Sequence, residues 1–503
     1  MSDDFQLPTK NHPAPEIREL PEAPVKTWGI IGPGLVSSGV GLASGEFILW
    51  PFIASQVGLV FLWGAVLGVV IQWFLNLEIE RYTLATGETA LTGFSRMWKH
   101  WGLVFVVLVI FANAWPGWAT SSATLLSFMT GGNVTAIAVT MLVATGAILT
   151  LAPVVYVALE RLITVKVIAI GGFFVLALIF ALKSSSWGAL PSAVTHVGRI
   201  PNLDFALMMG AIAFAGAGGG QNLCQSNWIR DKGFGMGRHI QRLVSPVTGK
   251  EEALPTARAC VFALTDESLG RWRRWWRFVN VEQALTFVLV TALTIMLTSM
   301  LAHSTLFGNP ALKNDISFLR LEGDQLKSAV GGWFGSLFWI IGSYSLFAAT
   351  VGIIDYTARL AADVVKWTYL RESKLSESRL YFFTVWGIVA MGSSILLFGI
   401  RQPLVLLVIS ACTGGMMMFV YSLLLILLNR RTLPDKLKTP AWRVVALLLS
   451  AAFFAYLSYF AVKQGVEKVR ESKRRPAAFQ TLFQAEAQAR LLREGEVAVR
   501  DRG

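Results

Sequence analysis

Two stretches of the 503-residue chain set polar, poorly helical residues in the middle of otherwise apolar runs. The first reads Gly39-Val40-Gly41-Leu42-Ala43-Ser44-Gly45-Glu46-Phe47, the second Ala215-Gly216-Ala217-Gly218-Gly219-Gly220-Gln221-Asn222-Leu223. Glu46 is an ionisable group in an apolar segment, which costs roughly 3 kcal/mol unless the carboxylate is paired or hydrated and reads by default as functional. The duller reading is a buried Glu serving a neighbouring helix. Each glycine costs about 1 kcal/mol relative to alanine inside a helix, so the triple glycine unwinds easily and frees carbonyl oxygens. With the amides of Gln221 and Asn222, these groups could bind a cation. Ala43, Ser44, Gly45, Glu46, Gly219, Gly220, Gln221 and Asn222 are the expected lining, and Glu46, Gln221 and Asn222 the expected side-chain ligands of a metal ion. Carboxylate, amide and carbonyl oxygens suit Mg²⁺, Ca²⁺ and Mn²⁺. A second candidate set, Asn113 with Ser343, Ser345 and Thr350, could complete a Na⁺ site, although a helix serine more commonly bonds its own backbone. Asp355 is expected to pair with Arg359 one turn on. The sequence has no Ser/His/Asp arrangement, HExxH or Walker loop, and its five histidines avoid the middles of the apolar runs, which argues against an enzyme or a nucleotide-driven pump. No cofactor is called for.

The elements that must position these residues are membrane helices. Hydrophobic residues make up 54% of the chain and charged ones 15%, well below the about 25% of a soluble domain, so a soluble enzyme is excluded. Runs of about 20 apolar residues give eleven spans: 28-57, 59-81, 101-130, 134-153, 161-183, 203-229, 278-302, 331-357, 380-400, 404-428 and 443-462. Turns are expected at Thr86-Gly87, Gly131-Gly132-Asn133, Arg401-Gln402-Pro403 and Leu433-Pro434-Asp435. Spans 1 and 6 carry the two breaks and open two five-helix blocks, 28-183 and 203-428. Interrupted helices at corresponding positions of two halves point to a transporter site between them; close helix packing through glycine is the competing explanation. Residues 1-27 form a polar N-terminal segment with no cleavable signal, 443-462 an added eleventh helix, and 463-503 a basic tail whose Ala477-Glu494 part has an amphipathic pattern. Three scattered cysteines make neither a disulfide framework nor a metal cluster.

The formal net charge of +13 sits in clusters between spans. Lys and Arg after spans 2, 6, 8 and 10 place those loops and the N-terminus in the cytoplasm, consistent with a bacterial inner membrane. The basic tail falls on the opposite side of an odd span count. The clusters read as contacts with anionic lipid rather than nucleic acid. In the long insertion 231-277, Arg271-Trp272-Arg273-Arg274-Trp275-Trp276-Arg277 is expected to anchor at the membrane interface.

Gly32-Pro33-Gly34-Leu35-Val36-Ser37 resembles the opening of the NRAMP metal-ion transporters, and Glu80-Arg81-Tyr82-Thr83-Leu84-Ala85-Thr86-Gly87-Glu88 resembles that family's span 2 exit. Gln221-Asn222-Leu223 sits where the family has its span 6 break. The likeness covers spans 1-10 in order and length, and is close in residues over the first two. It implies an all-α integral membrane protein of about 11 transmembrane helices with an inverted-repeat (5+5), LeuT-like fold and broken helices 1 and 6. The departures matter. Ala43-Ser44-Gly45-Glu46 aligns with the family's Asp-Pro-Gly-Asn and Gly219-Gly220-Gln221 with its Met-Pro-His, so the thioether and imidazole are gone. The carboxylate has moved three positions, nearly one helical turn. The family's proton route uses an Asp in span 3, the span 6 His and an Arg in span 9; here span 3 lacks an acid, Gln221 replaces the His, and span 9 has no internal charge. The expectation is an alternating-access transporter of a hard divalent cation, Mg²⁺ or Mn²⁺. Its alternatives are a carrier of a small amine or amino acid, with the glycines making room, and a membrane subunit or sensor that transports nothing.

Overall fold

The computed structural model describes residues 4-24, 32-249, 259-313, 315-399 and 403-463. The basic tail beyond residue 463 and the Arg401-Gln402 turn lie outside these. Among the described residues, nine helices are long and apolar enough to cross a membrane; the bent pair Pro33–Gly41 and Gly45–Val57, which turns by 41°, makes a tenth. The pair Phe205–Ala213 and Gly220–Lys232, parted by residues 214-219, fills the place of span 6 and completes the expected eleven. Its second half is polar yet buried throughout its first twelve residues, so a hydropathy test alone misses it.

Burial sorts the spans. Spans 2 (Leu62–Thr86), 8 (Gly332–Tyr369) and 10 (Leu407–Thr432) bury 67%, 72% and 61% of their apolar windows, so they line the interior. Spans 4 (Val134–Leu151), 5 (Val155–Phe180), 9 (Glu377–Leu397) and 11 (Ala441–Lys463) bury 33% and turn most of their apolar side chains outward, as lipid-facing helices do. Local sequence fixes the ends. Gly87 closes span 2 at φ 68, a left-handed cap that glycine adopts without strain. The side chains of Asn133, Thr265 and Ser376 accept backbone N–H groups at the starts of spans 4, 7 and 9.

Three expectations need correction. Residues 266-277 are not loop: they form the first turns of span 7, Asp266–Leu306, launched by the Thr265 cap. Span 3 is two helices, Trp101–Asn113 and Gly117–Thr130, because Pro116 cannot continue the first. The Trp/Arg stretch is also less of a lipid anchor than its composition suggests. Trp272 and Trp275 are buried, Trp275 donating its indole N–H to the Pro21 carbonyl at 2.7 Å, while Arg273, Arg274 and Arg277 stay exposed.

What covers those tryptophans is the N-terminal segment, which runs as a strap across one end of the bundle. Glu16–Ile17 (β1) pairs in parallel with Cys260–Val261 (β2). Arg96 donates to the carbonyls of Pro8 at 2.7 Å and Pro13 at 2.8 Å, the Gln6 N–H reaches the Thr432 carbonyl, and Arg271 bonds Glu19 and Glu22.

Candidate functional site

The two breaks meet backbone to backbone at the centre of the bundle. A Cβ on Gly41 would lie 1.7 Å from the Gly216 carbonyl oxygen, one on Gly45 2.1 Å from that of Phe214, and one on Gly219 2.6 Å from Gly414 of span 10. Glycine is required at this crossing for close approach, as the packing explanation calls for.

Glu46 sits in a π-helical turn, Gly45–Leu49, directly after the first break, a helix irregularity that recurs at functional sites. Its carboxylate is buried and accepts the Gly216 N–H at 2.9 Å and the Ala43 N–H at 3.3 Å. One carboxylate thus clasps both breaks. Ser44 accepts the Trp118 indole N–H at 2.9 Å, tying the same turn to span 3. Gln221 donates to the Ser37 carbonyl at 2.5 Å. Asn222 accepts from the Gly219 N–H at 2.9 Å and from the Tyr421 hydroxyl at 3.2 Å, and donates to Asn76 at 2.8 Å. The three expected ligands therefore ring one crossing, each bonded to a different neighbour. Among the described residues, no group of three or more His, Cys, Asp or Glu is arranged to hold a metal ion. A metal ion at this crossing would have to draw on amide and carbonyl oxygens beside Glu46.

The second candidate set does not converge on this crossing. Asn113 donates to Thr357 at 2.8 Å, Ser343 pairs with Ser122, and Thr350 bonds its own helix at the Leu346 carbonyl. Ser345 alone reaches a break, donating to the Leu42 carbonyl at 2.6 Å. Asp355 does bond Arg359, at 2.9 Å.

Several site residues escaped the sequence reading. Gln72 splints the span 6 break: its amide nitrogen donates to the carbonyls of Ile212, Ala213 and Ala215, and its oxygen accepts the N–H groups of Ala217 and Gly218. The freed backbone groups of an unwound helix find partners this way instead of water. Lys166 of span 5, also buried, donates to the Gly39 carbonyl at 2.7 Å, placing its amine among the carbonyls left free at the C-terminal end of the first half-helix. The available signals were polar residues in apolar spans: a lone Lys in span 5, and Gln72, Asn76 and Glu80 spaced by four along span 2.

No family model matches the chain, and no curated protein matches it in sequence. Solved structures do match in shape. A variant of the Eremococcus coleocola manganese transporter superposes at a TM-score of 0.62 with 12% identity, covering 92% of this chain and 91% of that one. MhsT in complex with L-phenylalanine gives 0.51 and 13%, covering 88% and 100%. Mhp1, a nucleobase-cation-symport-1 family transporter in a closed conformation with bromovinylhydantoin bound, gives 0.51 and 12%, covering 92% and 95%. The chain has an all-α, LeuT-like membrane fold with spans 1 and 6 broken, as expected from the sequence.

Proposed function

We propose that this protein is an NRAMP-related secondary transporter working by alternating access, and that it carries a hard divalent cation, Mg²⁺ or Mn²⁺, through the crossing of spans 1 and 6. The observation that carries the reading is the Glu46 clasp. A buried carboxylate held by two backbone N–H groups, one from each broken helix, can exchange those donors for a cation only if the helices shift relative to each other. Binding and conformational change then become one event, with the five-helix blocks 28-183 and 203-428 rocking around the site. Closer superposition on a manganese transporter than on the amino acid and nucleobase carriers supports a metal ion. The glycine contacts weigh against an organic solute, because Gly41, Gly45 and Gly219 abut backbone instead of opening space. The strapped end, where the Lys and Arg clusters gather, faces the cytoplasm of a bacterial inner membrane, and the exposed Arg273, Arg274 and Arg277 meet its anionic lipid.

The test is Mg²⁺ and Mn²⁺ flux into proteoliposomes, with calorimetry on the same protein. Glu46→Gln keeps the shape and removes the charge; saturable binding is expected to weaken at least tenfold while the protein still folds. Equal affinity in the variant would remove Glu46 as a ligand, and binding of amines with no response to metals would favour the organic-solute reading.

A further inference from the structure

A second buried carboxylate site lies away from the Glu46 crossing, between spans 2, 6 and 7. Glu80 of span 2 and Glu282 of span 7 are both buried, and both accept hydrogen bonds from the same amide nitrogen, Nε2 of Gln283, at 2.7 and 3.2 Å. Among the described residues neither carboxylate is in an ion pair. The nearby cations are bound elsewhere: Arg443 and Arg81 to Glu78, Lys232 to Glu160, Arg96 to Glu88, and Arg230 to Asp231 and Asp363. Arg238, His239, Arg277, Arg430 and Arg431, on elements packed near span 2, are exposed to solvent. Two unneutralised charges on one amide in a dry interior are not tolerated; one of the pair is protonated.

Hydrogen bonding identifies which. Glu282 accepts the Gly34 N–H at 2.8 Å, in the first turn of helix Pro33–Gly41, where a negative charge is favoured. A Cβ at Gly34 would lie 2.7 Å from Oε2 of Glu282, the other carboxylate oxygen, so the glycine lets the carboxylate lie against the helix end. Glu80 has the opposite environment. Its Oε1 accepts from Nε2 of Gln225 at 2.8 Å, while its Oε2 and the Oε1 of Gln225 are both buried without a partner. Two orphan acceptors on two residues already bonded to each other are one donor short. A proton on Glu80 Oε2 supplies that donor, closing an acid–amide pair with one hydrogen bond in each direction.

We propose that Glu80 is a proton-binding site, protonated at neutral pH and facing an ionised Glu282. A chain of amides links it to the span 6 break: Asn222 donates to Asn76, Asn76 to Gln283 at 3.3 Å, and Gln283 to Glu80. Loss of the proton leaves two like charges between spans 2 and 7 and two buried oxygens without a donor between spans 2 and 6, so proton occupancy biases the inner packing of the bundle. The proton site itself requires no assumption about the transported substrate.

The test is infrared spectroscopy on the full chain in lipid nanodiscs as pH is varied. In a Glu322→Gln background, which removes another carboxyl that burial keeps protonated near neutral pH, a carboxylic-acid C=O band is expected at neutral pH, absent when Glu80→Gln is added, which mimics the neutral acid and keeps the hydrogen bonds. Glu282→Gln removes the neighbouring charge and should move the band's loss to lower pH by at least one unit. That second variant decides the matter if Glu80→Gln does not fold. A band unchanged in Glu80→Gln, or a titration unmoved by Glu282→Gln, overturns the proposal. So does a thermal midpoint that rises with NaCl in the wild type and not in Glu80→Gln, which places a sodium ion between these oxygens instead.

Discussion

At the scale of single residues, burial makes each polar group either a strut or a liability. Gln72 is a strut, serving four backbone groups that the span 6 break leaves open, the carbonyls of Ala213 and Ala215 and the N–H groups of Ala217 and Gly218. Each group orphaned in the interior costs about 1–3 kcal/mol. Gln72→Leu should therefore lower the thermal midpoint in detergent more than any single-pair loss nearby, such as Gln221→Leu. An equal drop for both would mean the break reorganises freely. Glu322 is a liability. It lies in the short helix Phe318–Ala329, outside the spans, and burial pushes its carboxyl up to about 8. In the unfolded chain this group loses its proton near the ordinary glutamate value of about 4.3, so between the two values only the folded form holds it. Its stabilising contribution is present below the lower value and is lost at about 1.4 kcal/mol per pH unit as pH rises to the upper one. Glu322→Gln should match the wild type in mild acid and outlast it in thermal inactivation near pH 8; parallel pH profiles would contradict this.

At the scale of elements, the strap is the part that composition conceals. Its bonds run largely through backbone, with Arg96 holding the Pro8 and Pro13 carbonyls and β1 pairing on β2. Hydrogen bonds from a charged donor contribute about 2 kcal/mol, so Arg96→Ala should speed hydrogen exchange at the strap's Gln6, Glu16 and Arg18 amides roughly 30-fold. Exchange unchanged there would mean that β1 and Trp275 hold the strap without it. The spans, by contrast, were legible, because twenty apolar residues have few ways to satisfy their backbone in lipid other than a helix. The breaks were legible too, through Gly39-Gly41-Gly45 and Gly218-Gly219-Gly220. The start of span 7 was not: Asp266–Arg277 is charged, and only the Thr265 cap, four residues ahead of Leu269, signals a helix there. The site was half legible. Glu46, Gln221 and Asn222 announce themselves as polar residues at a break, but which backbone groups they hold depends on Gln72 and Lys166, residues far away in sequence.

At the scale of the whole molecule, alternating access requires one end of the bundle to open while the other is closed. In the transport cycle proposed above, the strapped end is the one held by charge. Arg230, in the second half of span 6, bonds Asp363 of span 8 at 2.9 Å and Glu377 at the start of span 9 at 3.2 Å. Arg359 bonds Asp355 of its own helix and Asp231 of span 6, while Trp228 and Tyr381 both donate to Asp355. This network grips the same half-helix whose first turn carries Gln221 and Asn222, so that end cannot open toward the site without parting it. Removing one partner of a buried pair costs about 3–5 kcal/mol, and more lightly linked members of a network cost less. Asp363→Asn keeps the side chain's shape and leaves Arg230 two other carboxylates, so the fold should survive with its closed state weakened. Cys224, wholly buried less than one turn beyond Asn222, reports the opening. With Cys260 and Cys412 replaced by serine, a membrane-impermeant thiol reagent applied to the strapped side should label Cys224 about tenfold faster in Asp363→Asn, for a closed state weakened by about 1.4 kcal/mol. Saturating cation should change the labelling rate in both proteins, because the clasp at Glu46 holds the break that leads into the half-helix gripped by the Arg230 network. A labelling rate indifferent to both the substitution and the cation would make the network a fixed structural tie and place the moving part elsewhere in the bundle.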